Sequence, residues 1–258
     1  MNKTFADLSA GFRLYPVWLH QAYHVLSAKY KRTILGSVWI AANFTGSSLA
    51  IAIVFGALFH QDLKETLPYT MMGFLMAGLS LWIITDAPEM YMANGGIIKN
   101  HAYPFTYFAF EAVAKALFLF AHNLVVFYIF DLILGTTTIP LWPLVPGLAL
   151  VVVCMLTWGS IIGMMAARFR DLRFLLPSLS TLLFFLTPIY WRPETLGRKR
   201  WIADVNPIYH MVAVVREPFL GHYPSEANWV FVASLAVAGL LVWLVIFSAF
   251  RRRIPFWV

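Results

Sequence analysis

Apolar and polar positions along this chain separate into long blocks rather than alternating residue by residue. Six blocks, at about 36–59, 68–90, 109–134, 144–167, 173–191 and 229–250, carry few or no charges. A helix needs about 20 such residues to cross the hydrocarbon of a bilayer. Open strands would leave backbone polar groups unpaired in lipid, and barrel strands would alternate in polarity. The pattern therefore predicts an all-α integral membrane protein with six transmembrane helices. No internal repeat is visible, so residues 1–258 read as one membrane domain.

Two further segments have the wrong length or pattern to cross. Residues 12–32 place Tyr15, Trp18, Leu19, Ala22, Leu26 and Tyr30 on one helical stripe, with His20, Gln21, His24 and Lys31 elsewhere. That arrangement predicts an amphipathic helix lying in the membrane interface. The stretch "VNPIYHMVAVVREPFLG" (205–221) is apolar but short, and Pro207 and Pro218 punctuate it. It reads as a pair of short re-entrant helices, at 205–220, before the last span.

Composition agrees with the block pattern: 60% of residues are hydrophobic and 12% charged, against about 25% charged in an ordinary soluble domain. A net charge of +7 would suit nucleic acid, but the basic residues are scattered between apolar spans. Their distribution decides orientation instead. Twelve Lys and Arg fall on the side of the termini: Lys3, Arg13, Lys29, Lys31, Arg32, Lys99, Arg168, Arg170, Arg173 and Arg251 to Arg253. Six fall on the other side, where the acidic residues of 192–228 nearly balance them. Both termini are expected in the cytoplasm. The chain opens without the apolar core of a cleavable signal. Its one cysteine, Cys154, excludes an internal disulfide and reads as a small hydrophobe in a helix.

Ionisable groups inside a membrane are functional suspects, and here they are few. Glu111 and Lys115 are spaced to neutralise each other on one helical face. Asp86 and Glu89 fall near the end of the second span, and Asp131 near the far end of the third. They form no proton relay. No phosphate-binding Gly-rich loop, zinc-protease motif or metal-ligand histidine spacing is present, so the chain is not expected to be an enzyme or to bind a cofactor or metal. Aromatic content is high, at 17%. Most of it should serve interfacial belts and packing, but an aromatic face also stacks on the C–H face of a sugar. Trp39, Trp82, Tyr190 and Trp191 are the candidates for lining a sugar path. Gly159 and Gly163 form a GxxxG, read as helix packing.

The chain resembles the membrane subunit of a polysaccharide ABC exporter of the ABC-2 type, most closely the O-antigen export permeases. The resemblance rests on "YKRTILGSVW" (30–39), on "NGGIIKNHAYPF" (94–105), and on "RFRDLRFLLPSLSTLLFFLTPIYWRPETLG" (168–197) followed by "NPIYHMVAVVREPFLG" (206–221). It departs where the family commonly has a proline five residues after Trp39; here that residue is Phe44, and the usual kink of the first span is not expected. The resemblance implies a homodimer around a central path, bound to two copies of a separate ATPase subunit that carries the ATP and Mg. It implies a coupling helix at 94–104, with Ile97 and Ile98 as apolar contacts, Lys99, Asn100 and His101 as polar ones, and Tyr103-Pro104 at its end. It places Thr187 to Trp191 at an outward gate. The cargo would be O-antigen polysaccharide on undecaprenyl diphosphate, moved from cytoplasm to periplasm across the bacterial inner membrane. Lys29, Lys31 and Arg32 either attract that diphosphate or only set topology. A permease for capsular polysaccharide or teichoic acid shares the mechanism; the outer gate block and the amphipathic entry helix argue against a drug exporter of the ABC-2 type, and a membrane-embedded transferase would need an acid/base or metal cluster that the chain does not present.

Overall fold

The computed structural model describes residues 2–31 and 36–258, with side chains for all of these but Asn2, Lys29 and Tyr30. The helices are α1 Asn2–Arg13, α2 Tyr15–Tyr30, α3 Val38–Phe59, α4 Leu63–Thr85, α5 Gly95–Asn100, α6 Phe105–Leu134, α7 Leu144–Arg168, α8 Leu172–Leu186, α9 Trp201–Asp204, α10 Pro207–Phe219, α11 Glu226–Phe250 and α12 Ile254–Trp257. No strand occurs among the described residues. Among the described residues, five helical segments, built on α3, α4, α6, α7 and α11, are long and apolar enough to cross a membrane.

The centre of the bundle is α4, apolar on every side and buried for most of its length because α3, α6, α7, α8 and α10 all pack on it. On its C-terminal half it meets the GxxxG of α7. A Cβ on Gly159 would lie 2.8 Å from the Trp82 ring, and one on Gly163 2.9 Å from the Ala87 carbonyl oxygen. The absent side chains let the α7 backbone approach the Trp82 ring and the turn that follows α4, so dispersion contacts replace the hydrophobic drive that lipid cannot supply. Gly163→Ala is expected to cost about 1–3 kcal/mol through overpacking. Gly46→Ala, where the space is open, should cost nothing; thermal unfolding of the two variants in one detergent compares them.

The fifth apolar block does not stay helical to residue 191. Helix α8 stops at Leu186 after 15 residues, about 22 Å at 1.5 Å per residue. Thr187 turns extended (φ −91°, ψ 136°), as the residue before a proline must when Pro188 crowds its backbone. The Ile189 amide then bonds back to the Thr187 carbonyl at 2.7 Å. Gly73 of α4 lies directly under the Ile189 carbonyl, so a side chain there would push the break away from the core.

The amphipathic N-terminal segment also differs from expectation. Two helices, α1 and α2, are joined at Leu14, and both lie against α6. The inward stripe runs through Thr4, Leu8, Gly11, Leu14, Trp18, Ala22 and Leu26, while Tyr15 and Leu19 face out. Trp18 stacks on Phe110 of α6 at 5.6 Å and donates to the Gly11 carbonyl at 3.2 Å. The short helices expected at 205–220 are one continuous helix, α10, preceded by the single turn α9. Pro207 occupies the first turn of α10, where an N–H would have no acceptor, so it does not break the helix.

Candidate functional site

The second and third spans are joined on the face that carries the termini, and this link holds most of the sequence-derived candidates. From α4 the chain runs through a 3-10 turn at Ala87–Glu89 into α5. Asn94 precedes α5 and ties itself to the Met90 carbonyl at 2.9 Å. Residues one apart on a helix point about 100° apart, and α5 is fixed against α12, with Gly95 beside Val258. Ile97 therefore stands out, 38% exposed, and Ile98 turns in, 7% exposed. Ile98 belongs to the core cluster, which corrects its expected place as a surface contact. Lys99, Asn100, His101 and Tyr103 are exposed, and Pro104 is half-buried. Tyr103 packs on Tyr107 of α6 at 4.9 Å.

Immediately above this link lies a cavity of about 770 Å³ between α2, α3, α4 and α6. Its apolar wall carries the rings of Phe44, Phe74, Trp82 and Phe120. Its polar wall carries Asn43 and Ser47 of α3 and Asn123 of α6, whose buried amide oxygen has no hydrogen-bond partner among the described residues. At the end nearest α5 are Asp86, Glu89 and Lys115. Lys115 is paired with Glu111 at 3.1 Å, as the i, i+4 spacing predicts, and Glu89 with Arg173 at 3.6 Å. Asp86 accepts a hydrogen bond from Thr85 Oγ1 at 2.6 Å. The mixture of flat rings with neutral amides and a few carboxylates offers stacking and hydrogen bonding together.

Residues 21–220 match the family described as ABC-2 type transporter. The chain belongs to that family. It is also similar to two proteins named O-antigen export system permease protein RfbA. The one from Klebsiella pneumoniae is 26% identical over 238 residues, covering 88% of each chain. The one from Myxococcus xanthus is 23% identical over 229 residues, covering 84% of this chain and 85% of its own.

This ABC-2 transporter chain is a multi-pass membrane protein, and its four aromatic candidates do not share one place. Trp82 lines the cavity. Trp39 is half exposed at the start of α3 and is not among the cavity's lining residues. Tyr190 is buried and Trp191 half-buried at the opposite end of the bundle. Rings connect the two regions. Phe74 of the cavity lies 5.4 Å from Phe184, Phe184 6.1 Å from Tyr190, and Tyr190 4.5 Å from Phe55 of α3. Helix α3 runs unbroken through Phe44, in keeping with the absent proline. Of the basic trio, Lys31 is exposed; the Lys29 side chain and Arg32 lie outside the described residues.

Around Tyr190 the fold contains a polar lock that the sequence did not announce. Asn206 caps α10 through the Ile208 amide at 2.9 Å, and its side-chain amide donates to Thr187 Oγ1 at 2.9 Å. Arg216 of α10, 1% exposed, donates to the Pro188 carbonyl at 2.7 Å and to Glu217 at 3.1 Å. Its guanidinium lies 4.0 Å from the centre of the Tyr69 ring of α4, and Tyr69 donates to the Trp191 carbonyl at 3.3 Å. From the far side, Leu141 N and Thr138 Oγ1 bond the last carbonyls of α10, those of Pro218 and Phe219, at 3.0 and 2.7 Å. The end of α8 and the whole of α10 are thus one fastened unit.

Proposed function

We propose that this chain is the membrane-spanning subunit of an ATP-driven exporter of O-antigen polysaccharide, and that the exposed face of α5 couples it to the ATPase. One observation carries the reading: residues 86–94 are at once the wall of the cavity, through Asp86, Glu89, Met90, Ala93 and Asn94, and the lead into α5. A push on α5 has no slack segment to absorb it before the cavity moves. The two relatives named as O-antigen export permeases support the cargo.

In this reading two copies pack around a path for the polymer, and two copies of a separate ATPase bind ATP and Mg and press on Ile97, Lys99, Asn100, His101 and Tyr103. Both termini face the cytoplasm, and the membrane is the bacterial inner membrane. Six crossings are proposed, the fifth made by α8 and completed by the non-helical residues 187–191. The sugar chain, carried on undecaprenyl diphosphate, passes from the cavity end toward the ring cluster at Tyr190 and Trp191, with Lys31 and its basic neighbours attracting the diphosphate.

The test is co-purification with the partner ATPase in lipid, reading ATP hydrolysis with and without this chain. Ile97→Asp puts a charge on an exposed apolar contact and should leave folding intact while lowering the effect on hydrolysis at least tenfold. Ile98→Asp would damage packing and is the wrong probe. An Ile97→Asp chain that couples as well as the original sinks the α5 assignment, and a chain that binds no ATPase sinks the permease reading.

A further inference from the structure

We propose that the cavity between α2, α3, α4 and α6 binds sugar units that carry no acidic group, and that Asp86 makes it reject polyanionic chains. The inference rests on the permease reading and narrows its cargo. Among the described residues, three ionisable side chains line the cavity. Two of them bring their own counter-charge, Lys115 with Glu111 and Glu89 with Arg173. Asp86 does not: its carboxylate takes only the hydroxyl of its neighbour Thr85 and has no cationic partner among the described residues. The described lining therefore keeps one net negative charge, on a carboxylate that stands exposed at the end of the cavity nearest α5. Such a charge disfavours a second anion nearby and favours a neutral hydroxyl donor or an ammonium.

The remaining polar groups fit the same ligand. Asn43, Ser47 and Asn123 line the cavity with donors and acceptors that carry no charge. Hydroxyls of a neutral sugar would donate to Asp86, while Trp82 and the phenylalanines stack on C–H faces. A phosphodiester or uronic acid polymer would bring negative charge beside the Asp86 carboxylate. Capsular and teichoic acid chains of that kind are poor cargo by this criterion, and neutral or amino-sugar repeats are good cargo.

The experiment uses the purified full chain in nanodiscs and measures tryptophan fluorescence on titration with two oligosaccharides of equal length. One is a neutral glucan fragment and the other a polygalacturonate fragment. The neutral fragment should bind at least tenfold more tightly at low salt, and Asp86→Asn should bring the ratio within about threefold. Ala116→Trp, which puts an indole into the cavity, should weaken the response to both at least tenfold. Asp86 is exposed, so its amide variant should fold. Equal or tighter binding of the acidic fragment overturns the proposal. So does a ratio that Asp86→Asn leaves unchanged, or no binding of either fragment. ATPase binding by the unsubstituted chain is read separately: lost sugar binding with intact ATPase coupling condemns only this inference, whereas a chain that binds no ATPase condemns the permease reading itself.

Discussion

Arg216→Ala should lower stability by about 3–5 kcal/mol, the scale seen when one member of a buried, hydrogen-bonded charge pair is removed. The guanidinium is almost wholly out of solvent and is tolerated there because three groups meet it: the Pro188 carbonyl, the Glu217 carboxylate and the face of Tyr69. Without it the Pro188 oxygen has lost its donor and the break after α8 loses its link to α10. Inactivation of the detergent-solubilised chain on heating measures this, since 1.4 kcal/mol is a factor of ten; a loss of half-life above a hundredfold is expected. Arg216→Lys should recover little. An ammonium is a point charge that cannot donate in two directions and stack at once. Arg216→Met with Glu217→Gln removes the charges together and should sit well above Arg216→Ala. If Arg216→Ala is as durable as the original, the lock is ornamental.

That arginine also shows what the sequence conceals. Read along the chain it is one more basic residue beside a glutamate, in a loop of nearly balanced charge. Its partners are Pro188, 28 residues back, and Tyr69 from another span, and no local pattern links these positions. The spans were legible because burial in lipid forces long apolar blocks. The end of α8 was half legible: Pro188 marks the break, but 187–191 stay apolar and lengthen the block past the last helical residue. Helix α1 escaped notice because its inward stripe, Thr4, Leu8 and Gly11, is too small and polar to register as a hydrophobic face. Charge alone singled out Asp86, Glu89 and Lys115, yet the cavity they share needs α3, α4 and α6 to be packed. Ile97 and Ile98 look alike in sequence, and only the seat of α5 against α12 tells the exposed one from the buried one.

Asp7→Ala is the second large effect, and its size reports how force from α5 is resisted. Helix α6 begins at Phe105, and its preceding residue Pro104 supplies no side-chain cap. The amides of Phe105 and Thr106 have no acceptor within their own helix. Asp7 of α1, 98 residues away, accepts both at 3.3 and 3.1 Å and takes the Thr106 hydroxyl at 2.9 Å. It also pairs with Arg251, beyond the end of α11, at 3.2 Å. An anion at a helix N-terminus gains further from the macrodipole. Together the lost cap and the unpaired Arg251 should cost about 3–5 kcal/mol, and hydrogen exchange across residues 2–13 should rise as α1 detaches. Arg251→Ala should cost far less, because Asp7 keeps its three hydrogen bonds. Exchanging the two residues, Asp7→Arg with Arg251→Asp, restores opposite charges but not the cap, so it should rescue little. Full rescue would make the ion pair the whole effect. If capping dominates, the chain just after α5 is anchored at Phe105 and Thr106, and a push on α5 must move residues 86–94 and the cavity instead of the start of α6.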